Sequence, residues 1–198
     1  MQVNDEFAQA VEIIPGRFYA IAVKRPDSLS RSPIACSSLC YCIDHDLLYE
    51  PFYADFGPLN LGRTYRFCQI TARLLKEGEQ RGKRVYLYCG NAPQQRANAA
   101  VLLGAFQVLL LGRGADEAYA PLAGLKPFMP FRDASCGAPC FNLQVEDCLR
   151  GLSKAASVGF LDVSSGSWRF DIDEYEHFEQ PLSKPPKYPP QTHPPPKG

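Results

Sequence analysis

Cys89 and Arg96 flank the loop CGNAPQQR, which follows the apolar run Val85-Tyr86-Leu87-Tyr88 and precedes the almost wholly apolar stretch Ala97 to Leu111. Strand, tight loop and buried helix form an arrangement that cradles anions. N–H groups at a helix N-terminus point at the ligand, and the helix dipole favours negative charge. A thiolate at the strand end would be stabilised there, and a guanidinium at the helix start could fork onto two phosphate oxygens. The corresponding chemistry is thiolate attack on phosphorus through a covalent phosphocysteine, with an acid protonating the leaving oxygen. Asp55, in the turn-rich segment FYADFGPLN before the preceding helix, stands in suitable chain order to be that acid.

The spacing argues against turnover. A working cradle has five residues between thiol and guanidinium, whereas here GNAPQQ supplies six. A misplacement of about an ångström can cost on the order of 100-fold in rate. Pro93 also removes one N–H donor. Tyr88 stands before the cysteine where a histidine is usual, and no Ser or Thr follows Arg96. The expectation is a buried strand-end thiol and a structural arginine, with no catalytic residue. The alternative is an active phosphatase using Cys89, Arg96 and Asp55.

The elements that position this loop read as one α/β domain over residues 7–180, containing a mobile loop over about 24–38. Val11 to Ile14 and Phe18 to Val23 are expected strands around Pro15-Gly16. KRPDSLSRSPIACSS is polar loop, and Ser32-Pro33 within it suits a proline-directed kinase. Strand character resumes over Tyr41 to Tyr49, with a tight turn expected at Asp44-His45-Asp46. Asn60 caps a helix reaching about Gln80 and ending at Gly82, with Leu61, Tyr65, Cys68, Ala72 and Leu75 on its buried stripe. A helix over Ala97 to Leu111 is hydrophobic all round, so it is the central one. Gly112 and Gly114 end it. A shorter helix covers Asp116 to Leu122. Asn142 is expected to cap a last helix whose stripe is Leu143, Cys148, Leu149, Leu152 and Ala156, closed by Gly159. DIDEYEHFE is a short acidic element. The tail over residues 181–198 is Pro-rich and expected to be extended and disordered. Within it Pro185, Pro186 and Tyr188 fit a ligand for aromatic-grooved proline-binding modules.

Bulk composition narrows the function classes. Of 198 residues 45% are hydrophobic and 21% charged, enough to fill a core, and formal net charge is zero. No whole-molecule field draws the chain to nucleic acid or membrane. No apolar run reaches membrane-span length, and the acidic start lacks signal-peptide character. A cytoplasmic and/or nuclear location is expected. The eight cysteines are read as reduced thiols. Cys36, Cys40 and Cys42 cluster, as do Cys136 and Cys140, but neither spacing matches a structural zinc knuckle. Cys68 and Cys148 read as small core residues. No metal and no cofactor are expected.

Four strings now bear on family. FYADFGPLNL, RANAA (Arg96 to Ala100), PFRDAS (Pro130 to Ser135) and DEYEHFE (Asp173 to Glu179) resemble the N-terminal half of the cell-division-cycle-fourteen dual-specificity phosphatases, the mitotic-exit phosphatases. The likeness runs from about Arg17 to Glu179. It implies a cysteine-phosphatase fold, a central mixed sheet flanked by helices, whose own active site is absent. It also implies a partner catalytic half carrying HC-x-x-G-x-x-R, and phosphoprotein substrates with Ser-Pro followed by a basic residue. The motif-matched groove residues are Glu176 and Glu179; the family's further downstream acid has no counterpart in the Pro-rich tail. The chain is therefore expected to be a non-catalytic substrate-recognition or scaffold domain, or a truncated product of a longer gene. Without the resemblance, DIDEYEHFE reads as a solvated acidic helix face.

Overall fold

The computed structural model describes residues 7–26 and 37–161. Strand β1 (Val11–Ile14) turns at Pro15-Gly16 into β2 (Phe18–Val23). Gly16 adopts φ 70°, open to glycine at no steric cost, and its N–H donates to Glu12 Oε1 at 2.8 Å. β3 (Leu39–Cys42), a one-turn helix α1 (Ile43–Asp46), the long helix α2 (Leu61–Arg81) and β4 (Val85–Gly90) follow. The sheet order is β1-β2-β4-β3. β1 runs antiparallel to β2, and both neighbours of β4 run parallel to it. A strand buried on both faces in a parallel pairing should be apolar throughout, and all six residues of β4 are buried.

Helix α3 (Pro93–Leu109) leaves the end of β4 through a two-residue connection and crosses the core, with every residue from Ala97 to Leu109 buried. A short helix α4 (Ala115–Tyr119), a 3-10 turn (Ala120–Leu125), the small ribbon of β5 (Phe131–Arg132) and β6 (Asn142–Leu143), and helix α5 (Val145–Ser157) complete the described chain. Phe18 and Phe106 pack edge to face at 5.8 Å, joining sheet to central helix. α5 lies so close to α3 that a Cβ on Gly104 would sit 2.5 Å from the Leu149 methyls. The mixed sheet flanked by helices is the expected fold class. Among the described residues, no helix is long and apolar enough to cross a membrane.

The ends of α2 follow the sequence reading closely. Asn60 Oδ1 accepts from the Arg63 N–H at 2.9 Å, and Gly82 closes the helix at φ 61°. Its buried face is rotated from the expected stripe. Thr64, Phe67, Cys68, Thr71 and Gly78 are buried, while Leu61, Tyr65 and Leu75 pack at the margin and Ala72 is half-buried. Thr64 can be interior because its hydroxyl donates to Asn60 O at 2.8 Å. Cys68 is in the core as expected, but Cys148 is only half-buried.

Two stretches depart further. The expected strand Tyr41 to Tyr49 ends at Cys42 and becomes helix, because Ile43 and Leu47, four apart, both turn into the core. Asn142 does not cap the last helix. Asn142 and Leu143 pair with Arg132 and Phe131, leaving Leu143 outside, and the helix starts at Val145. There the Gln144 N–H donates to Asp147 Oδ2 at 2.9 Å, and Val145 and Leu149 are buried.

Candidate functional site

Cys89 sits one residue from the end of β4, paired with Ala22 and 1% exposed. Burial pushes its thiol well up from the ordinary value, and the nearby Asp44 carboxylate adds to the shift. Arg96 lowers it only in third place. The thiolate that phosphoryl transfer requires is therefore disfavoured. Iodoacetamide at neutral pH is expected to alkylate the exposed Cys136 and Cys140 in the native chain and to leave Cys89 unmodified. Peptide mass mapping checks this; Cys89 labelling as fast as Cys136 would reveal an accessible thiolate.

The loop is shorter than the sequence suggested. α3 begins at Pro93, whose missing N–H costs nothing at the first helical position, so Arg96 lies within the first turn. Its guanidinium does not face an anion cradle. Nη1 donates to Leu125 O at 3.2 Å and Lys126 O at 2.6 Å, and Nε to Asn91 O at 3.2 Å. Nη2 donates to Asn91 Oδ1. The fork ties the loop after β4 to the far end of the 3-10 turn.

Two backbone donors of the loop, and the Gln95 side chain, are engaged within the protein. The Gly90 N–H donates to Asp44 Oδ2 at 2.5 Å, and Gln95 Nε2 donates to the same oxygen at 2.9 Å. The Ala92 N–H donates to Gln95 Oε1 at 3.3 Å. Gln95 lies directly on Gly90, where an added Cβ would meet its carboxamide at 2.2–2.5 Å. A carboxylate delivered by α1 thus takes a backbone donor that would otherwise face a phosphate. Burial raises the Asp44 carboxyl, and the Gly90 N–H works against that rise.

Asp55 does reach this region. It lines a cleft of about 510 Å³ together with Asp44, Gln95 and Asn98. Tyr49 donates its hydroxyl to Asp55 Oδ2, and the Tyr53 N–H donates to Oδ1 at 2.8 Å. The Tyr49 bond is the first cause that lowers the Asp55 carboxyl. A general acid must hold its proton near neutral pH, so the shift runs opposite to that role. Burial, then Asp55, pushes the Tyr49 phenol up to about 12. The structure therefore brings Asp55 and the β4–α3 loop to one cleft.

Sequence reasoning passed over Asp44, Gln95, Asn98 and Arg132, the polar groups that shape the cleft. Asp44 was legible only through the four-residue spacing of Ile43 and Leu47, which makes the segment helical. Glu176, Glu179, Pro185, Pro186 and Tyr188 lie outside the described residues, as do Ser32-Pro33, most of the 24–38 loop and the 181–198 tail.

The description "Dual specificity protein phosphatase, N-terminal half" matches residues 12–155. The chain belongs to this family. Over 180 residues it is 40% identical to the dual specificity protein phosphatase CDC14A of Homo sapiens, covering 89% of this chain and 29% of that protein. It is 45% identical over 180 residues to CDC14A of Mus musculus, covering 89% of this chain and 28% of the relative. The tyrosine-protein phosphatase cdc-14 of Caenorhabditis elegans is 38% identical over 177 residues, 85% of this chain and 24% of the relative. The chain thus spans less than a third of the length of these relatives. The N-terminal-half family match covers β1 through most of α5, so the cleft and its loop lie wholly inside it.

Proposed function

We propose that the chain is the non-catalytic, substrate-recognising half of a dual-specificity phosphatase, acting with a catalytic half on phosphoserine-proline segments followed by a basic residue. The observation that carries this reading is the occupation of the loop's own donors: Asp44 holds Gly90 and Arg96 holds backbone carbonyls. A phosphate entering there would meet a carboxylate and gain no guanidinium. Glu176 and Glu179 would contribute acids to the substrate groove. In water, two carboxylates facing one base supply only about 1 kcal/mol between them, and salt screens them. Isolated binding should therefore be weak, and tighter once the catalytic half is supplied.

The mixed-charge, thiol-bearing chain is proposed to work in the cytoplasm and/or nucleus, and Pro185, Pro186 and Tyr188 to offer a ligand to a proline-binding module. The isolated chain is expected to show no turnover of an aryl phosphate or a phosphoserine-proline peptide above buffer, with Cys89→Ser indistinguishable from wild type. Turnover that vanishes in Cys89→Ser would overturn the reading and establish an active phosphatase.

A further inference from the structure

The β5–β6 ribbon carries the two exposed thiols among the described residues. Arg132 pairs with Asn142, so the chain between them is a hairpin loop, and Cys136 and Cys140 both lie in it. The other described cysteines, Cys40, Cys42, Cys68, Cys89 and Cys148, are buried or half-buried. Burial is the first cause that raises each of those thiols, so little thiolate forms at them near neutral pH.

The hairpin loop is folded back on itself. Arg132 Nη2 donates to Ser135 O at 3.3 Å and to Gly137 O at 3.0 Å, which curls the chain around Cys136. On the other side the Asp133 carboxyl is held below its ordinary value by the Ser135 side chain first, then by the N–H groups of Ser135 and Cys140. One carboxylate thus returns Cys140 to the residue that precedes Cys136. Gly137 makes the turn between them at φ 101°, where a residue with a Cβ is rarely found. Only Gly137, Ala138 and Pro139 separate the two thiols. A disulfide spans Cα atoms about 4.4–6.8 Å apart, which suits this curled loop and would not suit an extended one. The loop is also joined to the cleft. The Arg132 N–H donates to Phe56 O at 2.7 Å, the Phe56 N–H donates to Arg132 O at 3.1 Å, and both residues line the cleft.

We propose that Cys136 and Cys140 form a reversible redox pair, closed to a disulfide by hydrogen peroxide and reopened by dithiols, whose state is felt at the cleft wall. One thiolate attacks the peroxide: an S–O bond forms, the O–O bond breaks, and the departing oxygen takes the thiol's proton and leaves as water. The second thiolate attacks the sulfenic sulfur, forming the S–S bond, and the hydroxyl leaves with the second proton as another water. The two thiols lose two electrons, and the peroxide gains them. Closure turns the hairpin tip into a ring and moves the Ser135 and Gly137 carbonyls that hold Arg132, whose backbone holds Phe56. The pair works whichever chain supplies turnover.

The test treats the full reduced chain with hydrogen peroxide, blocks remaining thiols with N-ethylmaleimide and maps the peptides by mass. The expected product is a monomer with Cys136 joined to Cys140, lighter by the two thiol hydrogens, and dithiothreitol restores both thiols. Against a glutathione buffer, its equilibrium constant is expected to be about tenfold higher in the native chain than in the same chain unfolded in urea, because the fold holds the sulfurs together. Closure should shift the 15N-amide resonances of Arg132 and Phe56 and leave that of Leu87 in place. Cys136→Ser and Cys140→Ser should each leave a sulfenic acid at the remaining cysteine, trapped by dimedone, with no ring. Asp133→Ala should lower the native constant toward the urea value. A bridge from either thiol to Cys36 or to a second chain would overturn the proposal. Equal constants in the native and unfolded chain would also overturn it, as would Arg132 and Phe56 amides that closure does not move.

Discussion

Arg96→Ala is expected to lower the unfolding free energy by about 2–3 kcal/mol, although the residue stands where a phosphatase would hold its phosphate-binding arginine. Four donors from this one guanidinium end on protein acceptors: Leu125 O, Lys126 O, Asn91 O and Asn91 Oδ1. Hydrogen bonds from a charged group contribute about 1.5–3 kcal/mol each, but bonds sharing one side chain are not additive. Arg96 is only half-buried, so water replaces part of the loss. Arg96→Lys keeps the charge but cannot span the loop and the 3-10 turn together, and should recover less than half. Urea unfolding reads the effect as a shifted midpoint at unchanged slope. An arginine kept for a ligand would change stability by less than about 0.5 kcal/mol on truncation. That result would reopen the anion-site reading.

The same residue shows how far the sequence could be read. Arg96 and Cys89 were visible as a pair, and their excess spacing pointed away from turnover. In the structure α3 starts at Pro93 and takes Arg96 into its first turn. A proline at the first helical position reads the same from sequence as a proline in a loop. Asp44 was hidden because its partner, the Gly90 N–H, is 46 residues away and the bond depends on the parallel pairing of β3 with β4. Strand and helix types were legible where one period dominated, as in β4 and α3. They were not legible where two patterns competed, as at Ile43 to Asp46, where an apolar alternation from β3 runs into a four-residue helical spacing. The ends of α2 were legible because Asn60 and Gly82 act locally; the rotation of its buried face was not, because Phe67 and two threonines are drawn in by tertiary packing.

Gln107→Leu is expected to be costlier still, about 3 kcal/mol, with a fall of roughly 6–12 °C in the unfolding midpoint. Gln107 is fully buried near the C-terminal end of α3, in its apolar stretch from Ala99 onward. Its Nε2 donates to Leu103 O at 3.2 Å and Ala118 O at 3.0 Å, tying α3 to α4. Its Oε1 accepts from Arg113 Nη1 at 2.6 Å, and that nitrogen also donates to Ile13 O at 3.0 Å in β1. One amide thus joins the central helix, the segment after it and the sheet edge. Leucine fills the space but leaves the Ala118 carbonyl and part of a guanidinium without partners in a site that water does not reach. The leucine's apolar gain is small because the glutamine stem already packs there. Arg113→Leu alone removes the other half, and the double variant should be less destabilised than the two singles summed, by at least about 1 kcal/mol. Strict additivity would mean that Gln107 and Arg113 act separately, and the network would then not be the lock. Since α3 carries Gln95, Arg96 and Asn98 at its first turns, loosening that lock should also broaden the amide resonances around the cleft before the chain unfolds.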